Sequence, residues 1–351
     1  MPDPQLPSSE LGLTWRPITL DDIGTWHELE QAIEAHDQPN ERFDRDDLVE
    51  ELTEGSHKDP SRDSLIGLDS DGVARAFGLL NPLPGTSLRR VYLWGGVHPQ
   101  WRGRGVGREV LRWETERARQ VIAEREVSEE VPVPWRIVVM HLERLKDRSR
   151  MCEAAGFSAI RWFHDMVRPL TAPDAEPVPD LAVPAGLEVT AWAHEMDEAV
   201  RLAHNEAFAG HWGSQPRDAE SWKNWTVGHR TFRRDWSWLV TDSSAVDADG
   251  LPEVAGYVAS HAYPQDWEAQ GYSQGWIGLL GVRPAWRGRG LAPALLAAAM
   301  RSYVQDGIET AGLDVDTGNA SGALNLYSGM GFRVEHTQVA WALESPGAAG
   351  L

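Results

Sequence analysis

The sequence predicts an α+β protein of two tandem domains, each a mixed, largely antiparallel sheet flanked by helices. Three observations lead there. The chain has 351 residues, enough for two ordinary domains. The segment Val97-His98-Pro99-Gln100-Trp101-Arg102-Gly103-Arg104-Gly105-Val106-Gly107 returns as Val282-Arg283-Pro284-Ala285-Trp286-Arg287-Gly288-Arg289-Gly290-Leu291-Ala292, as in a duplicated fold. In the second copy, strand-like and helix-like runs follow one another without regular alternation, which separates α+β from a doubly wound sheet.

Other landmarks repeat in the same order. Gly12-Leu13 and Gly186-Leu187 each open a strand-like run, and Gly156-Phe157 and Gly331-Phe332 each precede a closing one. Between the copies, residues 168–180 are rich in proline and in small or acidic residues, the composition of an extended linker. The expected domains are therefore residues 1–179 and 180–351. The first dozen residues and the tail 344–351 are expected to be poorly ordered.

In the second copy, residues 187–192 read as a short strand, 198–208 as a helix by spacing and 218–225 as a second short helix. Residues 238–240 and 253–260 read as strands around the turn-rich stretch 243–250. Residues 276–282 form a continuous apolar run, as a buried central strand would. Residues 291–303 are alanine- and leucine-rich helix, with Pro293 tolerable in its first turn. Residues 313–316 alternate as a strand, 320–330 suit a helix stopped by Gly331, and 332–343 return as a last strand.

Lys and Arg total 33 against 53 Asp and Glu, a formal net charge of -20. Such a field disfavours nucleic acid and anionic membranes and attracts cationic small molecules, although an acidic surface that only aids solubility gives the same number. No apolar run is long enough to span a bilayer, and the N-terminus lacks the features of a signal peptide. One cysteine excludes an internal disulfide framework. A cytoplasmic protein is expected. Its oligomeric state is not legible.

A strand, a turn rich in Gly and Arg, and a helix together form an anion site. Main-chain N–H groups at a helix start have no internal partner and point at an approaching phosphate. Gly288 and Gly290 let the main chain come close, while Arg287 and Arg289 add charge-assisted hydrogen bonds. The loop lacks the Gly-Lys-Ser/Thr ending of a Walker loop and the Gly-x-Gly-x-x-Gly of dinucleotide folds.

Arg287-Gly288-Arg289-Gly290-Leu291-Ala292 resembles the pyrophosphate motif Arg/Gln-x-x-Gly-x-Gly/Ala of the GNAT superfamily of N-acetyltransferases. Leu313-x-Val315-x-x-x-Asn319-x-x-x-Ala323-x-x-x-Tyr327-x-x-x-Gly331-Phe332 is similar to the family's second signature. Together they cover most of residues 276–343, whereas residues 187–275 match only in the order of elements. The resemblance implies acetyl-CoA as cosubstrate, lying where the strand ending at Val282 splays from the strand 313–316. Main-chain groups of Leu280 and Val282 would hold the pantetheine and acetyl carbonyl. Arg287, Gly288, Arg289, Gly290, Leu291 and Ala292 would hold the pyrophosphate, and Asn319 the cofactor arm. Tyr327 would protonate the departing thiolate after direct attack by an amine of a small molecule, a role open to a phenol with a pKa near 10.

The general base is open. Many relatives carry a carboxylate on the strand before the loop, but residues 276–282 contain no acid. Asp314 and Asp316 share one strand face and are candidates; Glu253, His261, Asp266, Glu268 or a water chain are alternatives. The early helices and their connecting loop usually meet the acceptor, which points to His211 and Trp212. His204 and His211 have neither a Glu-x-x-His pattern nor a third ligand, so no metal is expected.

The first copy keeps its loop: Val97, Arg102, Gly103, Arg104, Gly105, Val106 and Gly107 are its candidate coenzyme A residues. It places Cys152 where the second copy has Tyr327, and Arg144 where that copy has Asn319. Domain 1–179 is therefore expected to be non-catalytic and domain 180–351 catalytic. A protein N-terminus as acceptor, or a non-catalytic acyl-CoA sensor, are the competing readings.

Overall fold

The computed structural model describes residues 4–39, 41–53, 58–83, 85, 87–126, 133–209, 211–212, 214–246, 250–319 and 322–348. The first copy runs β1 (Thr14–Arg16), α1 (Ile23–Asp37), α2 (Arg45–Thr53), the single turn α3 (Pro60–Asp63), β2 (Ser64–Leu68), β3 (Ala74–Leu83), β4 (Arg89–Val97), α4 (Val106–Glu126), β5 (Trp135–Leu142), α5 (Lys146–Ala154) and β6 (Ser158–Pro169). The second runs β7 (Leu187–Ala191), α6 (Asp197–Ala207), α7 (Ala219–Trp222), β8 (Trp238–Val246), β9 (Pro252–Ala262), α8 (Pro264–Gln270), β10 (Gln274–Val282), α9 (Leu291–Gln305), β11 (Thr310–Asp316), α10 (Ala323–Gly329) and β12 (Arg333–Glu344). Each element expected in the second copy is present. β8 runs on into the stretch read as turn, α8 was not foreseen, and residues 320–321 of the expected helix 320–330 lie outside the described residues.

Contacts do not divide the chain along its repeat. One compact unit holds residues 1–162 with 337–351, and the other holds residues 163–336. In the first unit the strand order is β1-β2-β3-β4-β5-β12, with only β4 and β5 parallel. In the second it is β6-β11-β10-β9-β8-β7, with only β10 and β11 parallel. The sheet of each unit is thus completed by the closing strand of the other copy: residues 163–169 pair with β11, and residues 338–344 with β5.

Helices cover both faces of each sheet. In the second unit α9 lies on one face, with Leu291, Leu295, Leu296, Met300 and Tyr303 buried against Val258, Ile277, Leu313 and Val315. Its alanines let the helix come close to the strands, and each large apolar side chain so buried contributes about 1.5–3 kcal/mol. The opposite face packs Trp192, Val200, Trp222, Leu239 and Tyr257 beneath α6 and α7. The first unit repeats this arrangement with α4 on one face and α1 and α2 on the other.

Two segments expected to be loose are tied down. The proline-rich stretch is not a free linker: Arg168 donates to the carbonyls of Glu176 and Pro177 at 3.1 Å, and Val178, Leu181 and Val183 pack on the second unit's core. In the tail, Ser345 Oγ accepts the Trp135 N–H at 2.8 Å, and Arg136 donates to the Ala348 carbonyl at 3.0 Å. Near the N-terminus, Leu13 is buried. Among the described residues no helix is long and apolar enough to cross a membrane.

Because Val339, Ala340, Trp341 and Ala342 are buried in the first unit's sheet, removing residues 337–351 should loosen that unit selectively. Hydrogen exchange is expected to accelerate in β4 and β5 while β8 to β10 keep their protection. Equal loss of protection in both sets would refute the division of contacts.

Candidate functional site

The site begins where two strands part. β10 pairs in parallel with β11 only from Gln274↔Thr310 to Ile277↔Leu313, although β10 continues to Val282 and β11 to Asp316. On its other side β10 stays paired with β9 as far as Val282↔Gly256, but the register slips between Ile277 and Leu279. Gly278 is the extra residue of this bulge, which re-aims local main-chain groups. Leu280 and Val282 send their side chains towards the core, so what they offer the gap is main chain. The Val282 carbonyl is already engaged, accepting from Arg287 Nε at 3.1 Å.

Beyond Val282 comes the arginine loop. Gly288 (φ 73°) and Gly290 (φ 78°) hold left-handed conformations, and a Cβ built on either would meet nothing within 4 Å. Gly290 caps α9, whose first residues Leu291 and Ala292 present the unpaired N–H groups of a helix start. Arg287 also donates to the Ala207 carbonyl at 2.8 Å, and Arg289 to that of Ala285 at 3.1 Å. Both arginines are exposed and hydrogen-bond to neutral carbonyls, with Asp242 within electrostatic reach of Arg289.

Across the gap, Asp314 and Asp316 share a face of β11, but they do different things. Asp316 is buried; its Oδ1 accepts the Gly318 N–H at 2.9 Å, and its carbonyl accepts the Asn319 N–H at 3.1 Å. It shapes the turn that carries Asn319. Asp314 is solvent-accessible, yet the protein around it pushes its carboxyl pKa up, with Asp316 adding to the rise and His211 opposing it. Tyr327, buried on α10 and edge-on to Phe332, has its phenol pKa raised by burial and by Asp314. Tyr327 and His211 are thus each within electrostatic reach of Asp314. His211 Nδ1 donates to the Trp212 carbonyl at 2.9 Å, and the Trp212 ring lies 6.0 Å from Phe163, the partner of Asp316 across β6.

Gly331-Phe332 has a geometric meaning. Gly331 is left-handed (φ 85°), and the Phe332 N–H returns to the Tyr327 carbonyl, which closes α10 with Tyr327 in place. In the first copy Gly156 (φ 87°) and Phe157 close α5 on Cys152 in the same way. Cys152 is fully buried, and burial pushes its thiol pKa up to about 12, so it is an inert packed side chain.

The first unit also parts its parallel strands, after Leu93↔Val139, but β4 pairs with β3 in one unbroken register. Its loop keeps left-handed Gly103 and Gly105; Arg104 lies over Trp101, Val106 is buried, and Gly107 faces Met151. Arg102 Nε reaches the Val97 carbonyl just as Arg287 reaches that of Val282. Its fork, however, holds Asp37 in two hydrogen bonds of 2.6 and 2.9 Å, and Arg148 binds the same carboxylate at 3.2 Å. Arg144 donates to the carbonyls of Asp37 and Gln38. Burial would raise the Asp37 pKa, but Arg102 and Arg148 outweigh it and hold the group below the ordinary carboxylate range. In the second copy Ala207 ends the corresponding helix, so the position equivalent to Asp37 carries no carboxylate.

Of the other proposed bases, Glu253 is held by Arg283 at 2.7 Å and Asp266 is buried. His261 lies against the bulge: a Cβ on Gly278 would come within 2.8 Å of its ring. Asp37, Thr231 and His229 were not among the sequence candidates. Comparing the ends of the two copies' first helices would have revealed Asp37. Among the described residues no group of three or more His, Cys, Asp or Glu could hold a metal ion.

The profile of the acetyltransferase (GNAT) family matches residues 25–132 and 198–332. A mycothiol acetyltransferase of Salinispora tropica is 28% identical over 257 residues, 72% of each chain. One of Nocardia farcinica is 26% identical over 299 residues, 80% of this chain and 87% of its own. Among solved structures, a GCN5-related N-acetyltransferase from Sphaerobacter thermophilus shares the fold with TM-score 0.73 at 24% identity, over 97% of both chains. A tandem GNAT protein from the clavulanic acid biosynthesis pathway does so with TM-score 0.65 at 20% identity, over 95% of this chain and 99% of that one.

The Arg102–Asp37 pair carries a pH signature. The folded pKa of Asp37 lies below the unfolded value of about 3.9, so the stabilisation is complete above that value and is lost as pH falls through the folded one. Urea unfolding of Asp37→Asn should show its largest deficit against the parent chain near neutral pH, closing below about pH 4. A deficit that does not depend on pH would mean the carboxylate's charge is not what stabilises.

Proposed function

The chain belongs to the acetyltransferase (GNAT) family, and on that premise we propose that it moves the acetyl group of acetyl-CoA to an amine of a small molecule in the cleft of its second unit. What supports this reading is Asp314 on β11 where that strand parts from β10, with Tyr327 within its electrostatic reach and two exposed arginines, Arg287 and Arg289, before α9. The residues suit the cosubstrate. Arg287, Gly288, Arg289, Gly290, Leu291 and Ala292 offer charge, open space and helix N–H groups to a pyrophosphate. The free edge of β10 at Leu280 and Val282 offers main-chain groups to an extended amide-bearing arm, and Asn319 stands at the turn beyond β11.

In this reading the amine nitrogen attacks the thioester carbonyl directly. The C–N bond forms, the C–S bond breaks, and Tyr327 gives its proton to the departing sulfur. A phenol whose pKa is raised stays protonated until that moment. Bulge main-chain groups beside Gly278 are placed to stabilise charge on the carbonyl oxygen. Asp314, within electrostatic reach of Asp316 and His211, draws a cationic acceptor to the site, and the acceptor releases its extra proton to solvent before its nitrogen attacks as the neutral amine. The net charge of -20 favours such a ligand over an anionic one. The relatives' name makes deacetylated mycothiol the first acceptor to test. The first unit, with Arg102 neutralised and Cys152 inert, serves as scaffold.

Tyr327→Phe should lower kcat by about 10²–10⁴-fold while acetyl-CoA affinity by calorimetry stays close to the parent value, because only the proton donor is lost. A parent-like kcat would remove Tyr327 from the mechanism. Paired loop variants test the inequality of the copies. Gly290→Val should abolish acetyl-CoA binding and transfer, and Gly105→Val should leave substantial transfer in a folded protein. The opposite pattern would place catalysis in the first unit.

A further inference from the structure

On the face of the second sheet that carries Asp314, three residues stand in one row across neighbouring strands: His261 on β9, Trp276 on β10 and Gly312 on β11. One step further along this face, Gly278 has no side chain and bulges out of the ladder. The Cδ2–Nε2 edge of the His261 ring lies against it, 2.8 and 3.0 Å from where a Cβ would be. His261 is buried, and its Nδ1 lies 2.9 Å from Thr231 Oγ1. Thr231 Oγ1 is in turn 2.7 Å from Nδ1 of the half-buried His229. Thr231 is held along β9 by its carbonyl, which accepts the Ala262 N–H at 2.9 Å, and by the bridge between Phe232 and His261.

The direction of this chain follows from its donors. The main-chain N–H of Thr231 also points at His229 Nδ1, at 3.4 Å, so that nitrogen carries a lone pair and the Thr231 hydroxyl donates to it. The hydroxyl oxygen is then left to accept from His261 Nδ1–H. This assigns the His261 tautomer: proton on Nδ1, lone pair on Nε2, facing the bulge.

We propose that His261, Thr231 and His229 form a proton relay, in which His261 Nε2 takes the proton released by the amine nitrogen and the chain passes one on through His229. The proposal rests on the acyl-transfer reading above. When the C–N bond forms, the nitrogen becomes positively charged and its N–H strongly acidic, so a neutral imidazole suffices as base. His261 gains that proton at Nε2 and gives Nδ1–H to Thr231; Thr231 gives its hydroxyl proton to His229 Nδ1, and the half-buried His229 gives up Nε2–H to solvent water. Each group gains one proton and loses one. The titratable and charged groups around His261 are His229, Arg217 and the stacked Tyr263. Burial, reinforced by His229 and Arg217, pushes the His261 pKa down to about 4, which keeps the ring neutral and ready to accept at neutral pH.

The full-length chain is assayed with acetyl-CoA and deacetylated mycothiol, then with a panel of small primary amines, reading thiol release. His261→Gln should lower kcat by about 10²-fold or more without weakening acetyl-CoA binding. Thr231→Val should also lower kcat, and Thr231→Ser, which keeps the hydroxyl, should restore it; a purely structural threonine would not follow the hydroxyl. These two variants decide the matter if His261→Gln fails to fold. Imidazole nitrogen shifts in ¹⁵N-labelled protein should show His261 protonated at Nδ1 and His229 unprotonated there, and the reverse at either ring would overturn the relay whatever the activity. Parent-like kcat in His261→Gln, with Tyr327→Phe still impaired, would overturn the relay and leave the acyl-transfer reading standing. No transfer by the parent chain to any amine would overturn both.

Discussion

A parallel pair of strands that stops hydrogen-bonding halfway leaves a row of main-chain N–H and C=O groups without partners, and such groups cannot simply be buried. This constraint, set where β10 leaves β11, organises the second unit. The gap must stay open to solvent or to a ligand that can hydrogen-bond like a strand. β10 in turn depends on β9 for support, and there the bulge at Gly278 turns the main chain towards the sheet face that carries Asp314. α9 starts at the end of the same strand and adds its own unpaired N–H groups to the mouth of the gap. Strand edge, bulge and helix start therefore converge without any one of them being a site alone.

The two copies share this framework. Both part their central strands, both cap the following helix with left-handed glycines, and both close the helix after the gap with Gly-Phe. They differ in what the charged side chains meet. In the first, Asp37 takes the two hydrogen bonds of the Arg102 fork that a phosphate would otherwise receive, and a bidentate pair of this kind is among the strongest a protein makes. In the second, the corresponding arginine rests on main-chain carbonyls and keeps its charge.

Much of this was legible in the sequence, and for identifiable reasons. The repeated loop, the apolar run of β10, the alternation of Asp314 and Asp316, and Tyr327 four residues before Gly331 are local patterns, and local geometry follows from them. What could not be read depends on pairings across long sequence distances. Residues 332–343 have the composition of a strand in either sheet, and nothing local says that Gln338 to Glu344 belong beside β5. Arg168 looked like part of a loose linker because its partners are carbonyls, which carry no sequence signal. Thr231 sits in a loop with no periodicity, and only the fold brings its hydroxyl to His261. Asp314 and Asp316 looked equivalent until the turn after β11 claimed one of them.

The exchange of closing strands bears on how the protein comes to exist in time. Residues 1–162 leave the ribosome long before the segment that pairs with Leu142 and its neighbours, which lies some 200 positions downstream. Chains ordinarily fold their N-terminal domain first, as synthesis proceeds. Here the earlier-made unit must wait, with the edge of β5 unpaired, until residues 338–344 have been added. The nascent chain thus carries an adhesive strand edge throughout translation of its second half. Cutting the chain between its two copies would leave the β5 edge without the strand that covers it.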